Sequence, residues 1–369
     1  MTFAITRRQI VQTAAASMVA GGLPQLHAQE VARRFEPRPE GWRKFEITTT
    51  VQLRGERGDA TIWLPVPSLD TPWQRTSDSN WSGTASTINT ASDGRTGAKV
   101  LVAKYAASAA DPTLVLTSVV ETQNRAVDWG AKAPAADPSD LREWLQPSEL
   151  IPTDGIVKKV ATQVVLGARS DREKAQRIYD WVIVSTYREP KVRGCGTGDI
   201  KAMLESGNMS GKCADINALF VGLCRASGVP ARDIYGIRLV PSAFGYRELG
   251  GNPASLKGAQ HCRAEVYLQG TGWVAMDPAD VTKVMRQETP EWIKDAGHPV
   301  VAPVRKALFG SWESNWMGYN CASDVKLPGA KQARLGFFMY PQAETAAGAK
   351  DPYDPDTFVY QITAREIRA

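Results

Sequence analysis

Three residues of this chain are of types that together perform nucleophilic catalysis: Cys213, His261 and Asp277. Cys213 sits at the joint between a glycine turn and an amphipathic run in MSGKCADINALFVGLCRASGVP, Met209 to Pro230. From Ile216 the apolar positions recur at Leu219, Phe220, Leu223 and Cys224, the spacing of a helix with one buried face. Gly228 and Pro230 end it. A thiol in the first turn of a helix meets the positive end of the macrodipole and unpaired backbone N–H groups, which favour its thiolate. The same N–H groups are suited to receive an oxyanion. Taken alone, Cys213 reads equally as an inert core cysteine, because cysteine is among the most buried residue types.

A cysteine nucleophile needs a base and a group that orients the base. His261 begins HCRAEVYL, where Cys262, Ala264, Val266 and Leu268 share one face of a strand and His261, Arg263, Glu265 and Tyr267 the other. Gln269 to Gly272 form a turn, and WVAM returns as the partner strand to end at Asp277-Pro278. Closing this hairpin brings His261 and Asp277 within a residue or so of facing each other. Each of the two has an ordinary structural reading, a strand-end histidine and a turn aspartate. Their joint occurrence weighs more, because beyond residue 28 the one other histidine is His298, in the loop-like DAGHP.

The elements that carry these residues follow a second, β-rich unit. FEITTTVQL, Phe45 to Leu53, alternates apolar and polar positions as a half-buried strand does. Further strands are predicted at Ala60 to Leu64, Ala98 to Tyr105 and Thr113 to Glu121, which makes residues 35–130 a β-sandwich domain without a catalytic constellation. Trp73 and Trp81 in its loops are expected to pack or to be exposed by chance rather than to touch a partner. Residues 131–149 form a linker, beginning with AKAPAADPSD. Residues 150–285 form the domain that holds the three chemical residues. Within it Ser170-Asp171-Arg172-Glu173 is a capping box that starts a helix running to about Tyr187. Residues 286–369 are an extension, with GSWESNWMGYN and LGFFMYP as packing segments.

Composition and motifs exclude several classes. The amino-terminal 28 residues, with Arg7-Arg8 before an apolar run from Ile10 to Leu23, read as a twin-arginine export signal too short to span a bilayer. A periplasmic or secreted protein follows. Leaving out Arg7 and Arg8 lowers 44 basic residues to 42 against 39 acidic ones, and they are scattered, so nucleic acid is not an expected partner. No later segment reaches membrane-spanning length. RGCGTGDI, Arg193 to Ile200, lacks the Lys-Ser or Lys-Thr of a phosphate loop. There is no CxxC pair and no acidic loop of EF-hand type, so neither a metal nor a cofactor is expected. The five cysteines, Cys195, Cys213, Cys224, Cys262 and Cys321, fit one free thiol with up to two disulfides and fit five free thiols equally well.

GKCADINALFVGLCRASGVPAR, HCRAEVYL and GWVAMDP together resemble the transglutaminase-like superfamily across about residues 150–285. The resemblance implies an α+β fold with a papain-like transglutaminase core, the cysteine helix packed on an antiparallel sheet, preceded by an all-β sandwich domain. It also implies a Cys-His-Asp triad with Cys213 as nucleophile, His261 as base and Asp277 as its orienting partner. Eukaryotic members place tryptophan after the nucleophile, whereas this chain has Ala214 and Asp215. What the resemblance then implies is acyl transfer through a thioester with a peptide or protein substrate, as a cysteine peptidase or amidase when water accepts the acyl group. The alternative is a non-enzymatic binding or scaffold protein that retains the fold.

Overall fold

The computed structural model describes residues 33–56, 58–134 and 136–367; the expected export signal lies outside the described residues. The chain first forms strands β1 (Arg43–Gln52), β2 (Ala60–Val66), β3 (Gln74–Gly83), β4 (Thr87–Ser92), β5 (Lys99–Tyr105) and β6 (Thr113–Thr122). Helices α1 (Gly155–Val164), α2 (Asp171–Ser185) and α3 (Cys213–Ala226) follow. Next come β7 (Ala231–Arg238), β8 (Gln260–Leu268), β9 (Gly272–Met276) and helix α4 (Pro278–Lys283). The chain ends through β10 (Trp316–Asn320), β11 (Gln342–Thr345), β12 (Gly348–Ala349) and β13 (Val359–Ile367).

These strands make three main antiparallel sheets, in the orders β13-β1-β6-β3, β12-β11-β2-β5-β4 and β9-β8-β7-β10. The first two sheets bury Phe45, Ile47 and Val51 of β1 together with Ile62, Leu64, Leu101 and Ala103 in one core. The period-two pattern of β1 thus acts as expected, with Thr48, Thr50 and Gln52 left on the less buried face. β3 and β4 escape sequence reading for a physical reason. Both are edge strands, largely open to solvent, so QRTSDSNWSG and TINTAS carry no apolar alternation. Trp73 packs as expected, edge-on to Trp312 with ring centroids 5.2 Å apart, while Trp81 lies on β3 and is 41% exposed.

α3 is the centre of the third sheet's layer. It lies on β7 and β8, and α1 and α2 cover its other sides. All of its residues except Arg225 are buried, because Ile216, Leu219, Phe220 and Leu223 face one way and small residues the other. Gly222 permits the closest approach: a Cβ there would stand 2.2 Å from Ile200 Cδ1. α2 begins where the capping box places it. Ser170 Oγ accepts from the Glu173 amide at 3.2 Å, while the Glu173 carboxylate reaches one residue further back, to the Arg169 amide at 2.7 Å.

The carboxy-terminal segment is woven into all three sheets. β10 borders β7, β11 pairs with β2, and β13 lies along the whole of β1 from Lys44↔Ile367 to Gln52↔Val359. Phe358, Tyr360 and Ile362 enter the core with it. Burying each such side chain is worth about 1.5–3 kcal/mol, so three together rival the roughly 5–15 kcal/mol that holds a typical domain folded. Deleting the chain from Thr357 onward is therefore expected to leave little cooperative unfolding in a urea titration; an unchanged midpoint would show that β13 is dispensable.

Candidate active site

Cys213 opens α3, and the side chain two residues on fixes its surroundings. Asp215 accepts the Lys212 amide with one oxygen and the Thr197 and Gly198 amides with the other, each at 2.9 Å. The glycine-rich stretch Arg193 to Ile200 is thereby fastened to the helix start. Gly196 has φ +92°, and a Cβ there would meet Asp215 Oδ2 at 1.8 Å, so only glycine fits. The fastening brings Cys195 beside Cys213: the Cys195 carbonyl accepts the Ala214 amide at 2.9 Å, and each thiol bears on the other's ionisation. All five cysteines are free thiols, which selects the second of the two arrangements open in the sequence.

His261 stands near the start of β8, opposite Gly236 of β7. β8 and β9 pair Ala264 with Met276, so Asp277 leaves the hairpin a diagonal step from His261. Asp277 then caps α4, accepting the Asp280 amide at 3.1 Å through Oδ1. Its Oδ2 lies 2.8 Å from His261 Nε2. With Nε2 held by Asp277, the imidazole stands close enough to Cys213 to favour its thiolate. The three residues singled out in the sequence therefore converge, each at the end of a different element, and Cys213 and His261 are only 3% exposed.

The sequence did not disclose the residues that hold them. Asn217, one turn beyond Cys213, donates to the Cys262 carbonyl at 2.8 Å and to Asp277 Oδ1 at 3.2 Å, and accepts the Ala279 amide at 3.2 Å. One buried amide thus ties the cysteine helix to the histidine strand and to the aspartate cap. Its signal was present as the i+4 position from Cys213, a buried-face position at which asparagine needs partners. Asp280 supplies a second carboxylate, with Oδ2 3.4 Å from His261 Nε2. Arg238 grips it, Nη2 to Oδ1 at 2.5 Å and Nη1 to Oδ2 at 3.2 Å. Arg263 Nε stands 3.7 Å from Asp277 Oδ2.

This arrangement decides the protonation states. Burial opposes ionisation of Cys213, but hydrogen bonds from Cys195, Cys262 and His261, together with the imidazole's charge, outweigh it and hold the thiol well below its ordinary range. For His261, burial and then Arg238 work against the cation, and Asp280 and Asp277 prevail, so its pKa is raised. Burial pushes the other thiols, Cys195, Cys224, Cys262 and Cys321, up. His261, Asp277 and Asp280 offer ligand atoms within 4.8 Å of one another, the grouping a divalent metal would use. Arg238 and Arg263 already neutralise those two carboxylates, so the donor set suits an imidazolium better than a metal ion.

Two measurements follow. The Cys213 thiolate is retained below the ordinary thiol range and lost as pH falls through its depressed pKa. Thiolate ultraviolet absorbance is therefore expected at neutral pH, absent in Cys213→Ser and displaced to higher pH in His261→Ala; a wild-type curve like that of a free thiol would contradict this. In Arg238→Met the Asp280 carboxylate is left buried without its cation, which costs about 3–5 kcal/mol. A denaturant midpoint unchanged from wild type would contradict that cost.

The family described as the transglutaminase-like superfamily matches residues 158–278, a span containing Cys213, His261 and Asp277. A Haemophilus influenzae protein described only as uncharacterized is 35% identical over 343 residues, covering 88% of this chain and 91% of that one. Among solved structures, a candidate cysteine protease from Cytophaga hutchinsonii covers 89% of this chain and 99% of its own at 18% identity, with a TM-score of 0.50, a likeness of fold. The periplasmic domain of TgpA from Pseudomonas aeruginosa covers 78% of this chain and 81% of its own at 16% identity and a TM-score of 0.34. Among the described residues, no helix is long and apolar enough to cross a membrane. With its cysteine-bearing helix packed on an antiparallel sheet, the chain belongs to the transglutaminase-like superfamily.

Proposed function

We propose that the protein is an exported cysteine acyl-transfer enzyme that cleaves or transfers an amide of a peptide or protein, with water as the acceptor that makes it a peptidase or amidase. The observation that carries this reading is the buried His261 Nε2–Asp277 contact at 2.8 Å, made by the same imidazole that favours the Cys213 thiolate. Export rests on the sequence of residues 1–28.

In this reading Cys213 gives its proton to His261 and the thiolate attacks the amide carbonyl. A carbon–sulfur bond forms as the carbonyl electron pair moves to oxygen. Collapse of that intermediate breaks the carbon–nitrogen bond, and the proton held on His261 passes to the departing amine. The thioester that remains yields to water or to an acceptor amine, with His261 now taking the proton of the incoming group. Asp277 orients the ring, and it balances the imidazolium.

The binding-protein alternative draws on one observation, the near-complete burial of Cys213 and His261. Against it stands the desolvation cost of six ionisable groups gathered in one interior, which a scaffold has no need to bear. Incubating the purified protein with a peptide library, with and without a labelled primary amine, separates the outcomes. Cleaved peptides that vanish in His261→Ala are expected; amine-tagged products would shift the reading to transfer, and no product with Cys213 alkylated no faster than an unfolded thiol would favour the scaffold.

A further inference from the structure

An oxyanion on the attacked carbonyl needs donors within about 2.7–3.1 Å of where the charge develops. The helix start supplies fewer than its geometry suggests. Its Ala214 amide is spent on the Cys195 carbonyl and its Ile216 amide on the Lys212 carbonyl, which leaves the amide of Cys213 itself as the nearest to the sulfur. A side-chain donor beside it would supply a second hydrogen bond.

Gln260, immediately before His261, is the side chain with a hydrogen to offer. It is 5% exposed, and its Nε2 is buried without a hydrogen-bond partner. Its Oε1 accepts the Gly258 amide at 3.1 Å, which anchors one end of the amide and leaves the NH2 as the unused end. Two separate contacts put Gln260 beside the nucleophile. Along β8 it directly precedes His261, and its own carbonyl accepts the thiol of Cys195 at 3.2 Å, the residue whose carbonyl in turn accepts the Ala214 amide next to Cys213 at 2.9 Å. A buried amide hydrogen with nothing to bond is costly and uncommon in folded proteins, and a bound substrate oxygen would satisfy it.

We propose that Gln260 is a catalytic residue: its Nε2 donates a hydrogen bond to the oxyanion of the tetrahedral intermediate, alongside the Cys213 amide. No proton changes hands in this step; the thiolate adds to carbon, the carbonyl pair settles on oxygen, and the Gln260 hydrogen bond strengthens as the charge grows. The inference rests on the acyl-transfer reading above.

Two reactions of the same sulfur test it. Acylation by p-nitrophenyl acetate passes through an oxyanion, whereas alkylation by iodoacetamide does not. In Gln260→Met and Gln260→Ala the burst of p-nitrophenolate is expected to slow by about 10²–10³-fold, the usual effect of losing one such donor, while alkylation of Cys213 stays near the wild-type rate. Acylation at the wild-type rate in both variants overturns the proposal, as does a parallel fall of acylation and alkylation, which would make Gln260 merely structural. A wild-type protein that alkylates but never acylates overturns the acyl-transfer reading itself, and this inference with it.

Discussion

The imidazole of His261 is shared by two buried carboxylates, and the rest of the site is built to make that arrangement tolerable. Asp277 and Asp280 both approach Nε2, at 2.8 and 3.4 Å. Two negative charges in an interior would be prohibitive alone, but Arg238 and Arg263 lie against them and cancel their charge. A proton moving from Cys213 to His261 then leaves the net charge of the cluster as it was. The carboxylates favour the imidazolium, and the imidazolium favours the thiolate. Asp280 is driven far below the ordinary carboxylate range chiefly by Arg238, even though burial pushes the other way, so it stays ionised as a permanent counter-charge.

Geometry is held by groups that never need to meet a substrate. Asn217 bolts α3 to both arms of the hairpin system, and the tryptophans of the carboxy-terminal segment brace the strands from the other side. Trp316 Nε1 donates to the His261 carbonyl at 2.8 Å, and Trp312 Nε1 to the Met276 carbonyl at 3.3 Å, one residue before Asp277. Arg263 lies over the Trp316 ring, 4.6 Å from its centroid. Trp73 joins the same aromatic cluster from the β-rich part of the chain. The β-rich region and the carboxy-terminal segment are thus mechanically continuous with the histidine and aspartate, although neither supplies a reacting group.

What was legible in the sequence had local signatures. The helix period from Ile216, the alternation of Phe45 to Val51 and the Ser170 cap each depend on neighbours a few residues away. Cys213, His261 and Asp277 were legible because each stands at the end of a recognisable element. The parts that stayed hidden depend on long-range pairing. Arg238 and Asp280 read as a strand-end cation and a helix-start acid until β7 and α4 are brought together. β13 carries a plausible strand pattern, but nothing local says that VYQITAREI runs beside β1, more than three hundred residues earlier. Edge strands β3 and β4 are polar because solvent, not a core, faces them.

The most direct measurement is the titration of His261, read by nitrogen-15 NMR of histidine-labelled protein and assigned with His261→Gln. The wild-type imidazole is expected to titrate above the ordinary histidine range, because Asp280 and Asp277 outweigh burial, and at a lower pH in Asp277→Asn. A wild-type imidazole that titrates at or below the ordinary range would contradict the ion-pair site at its centre.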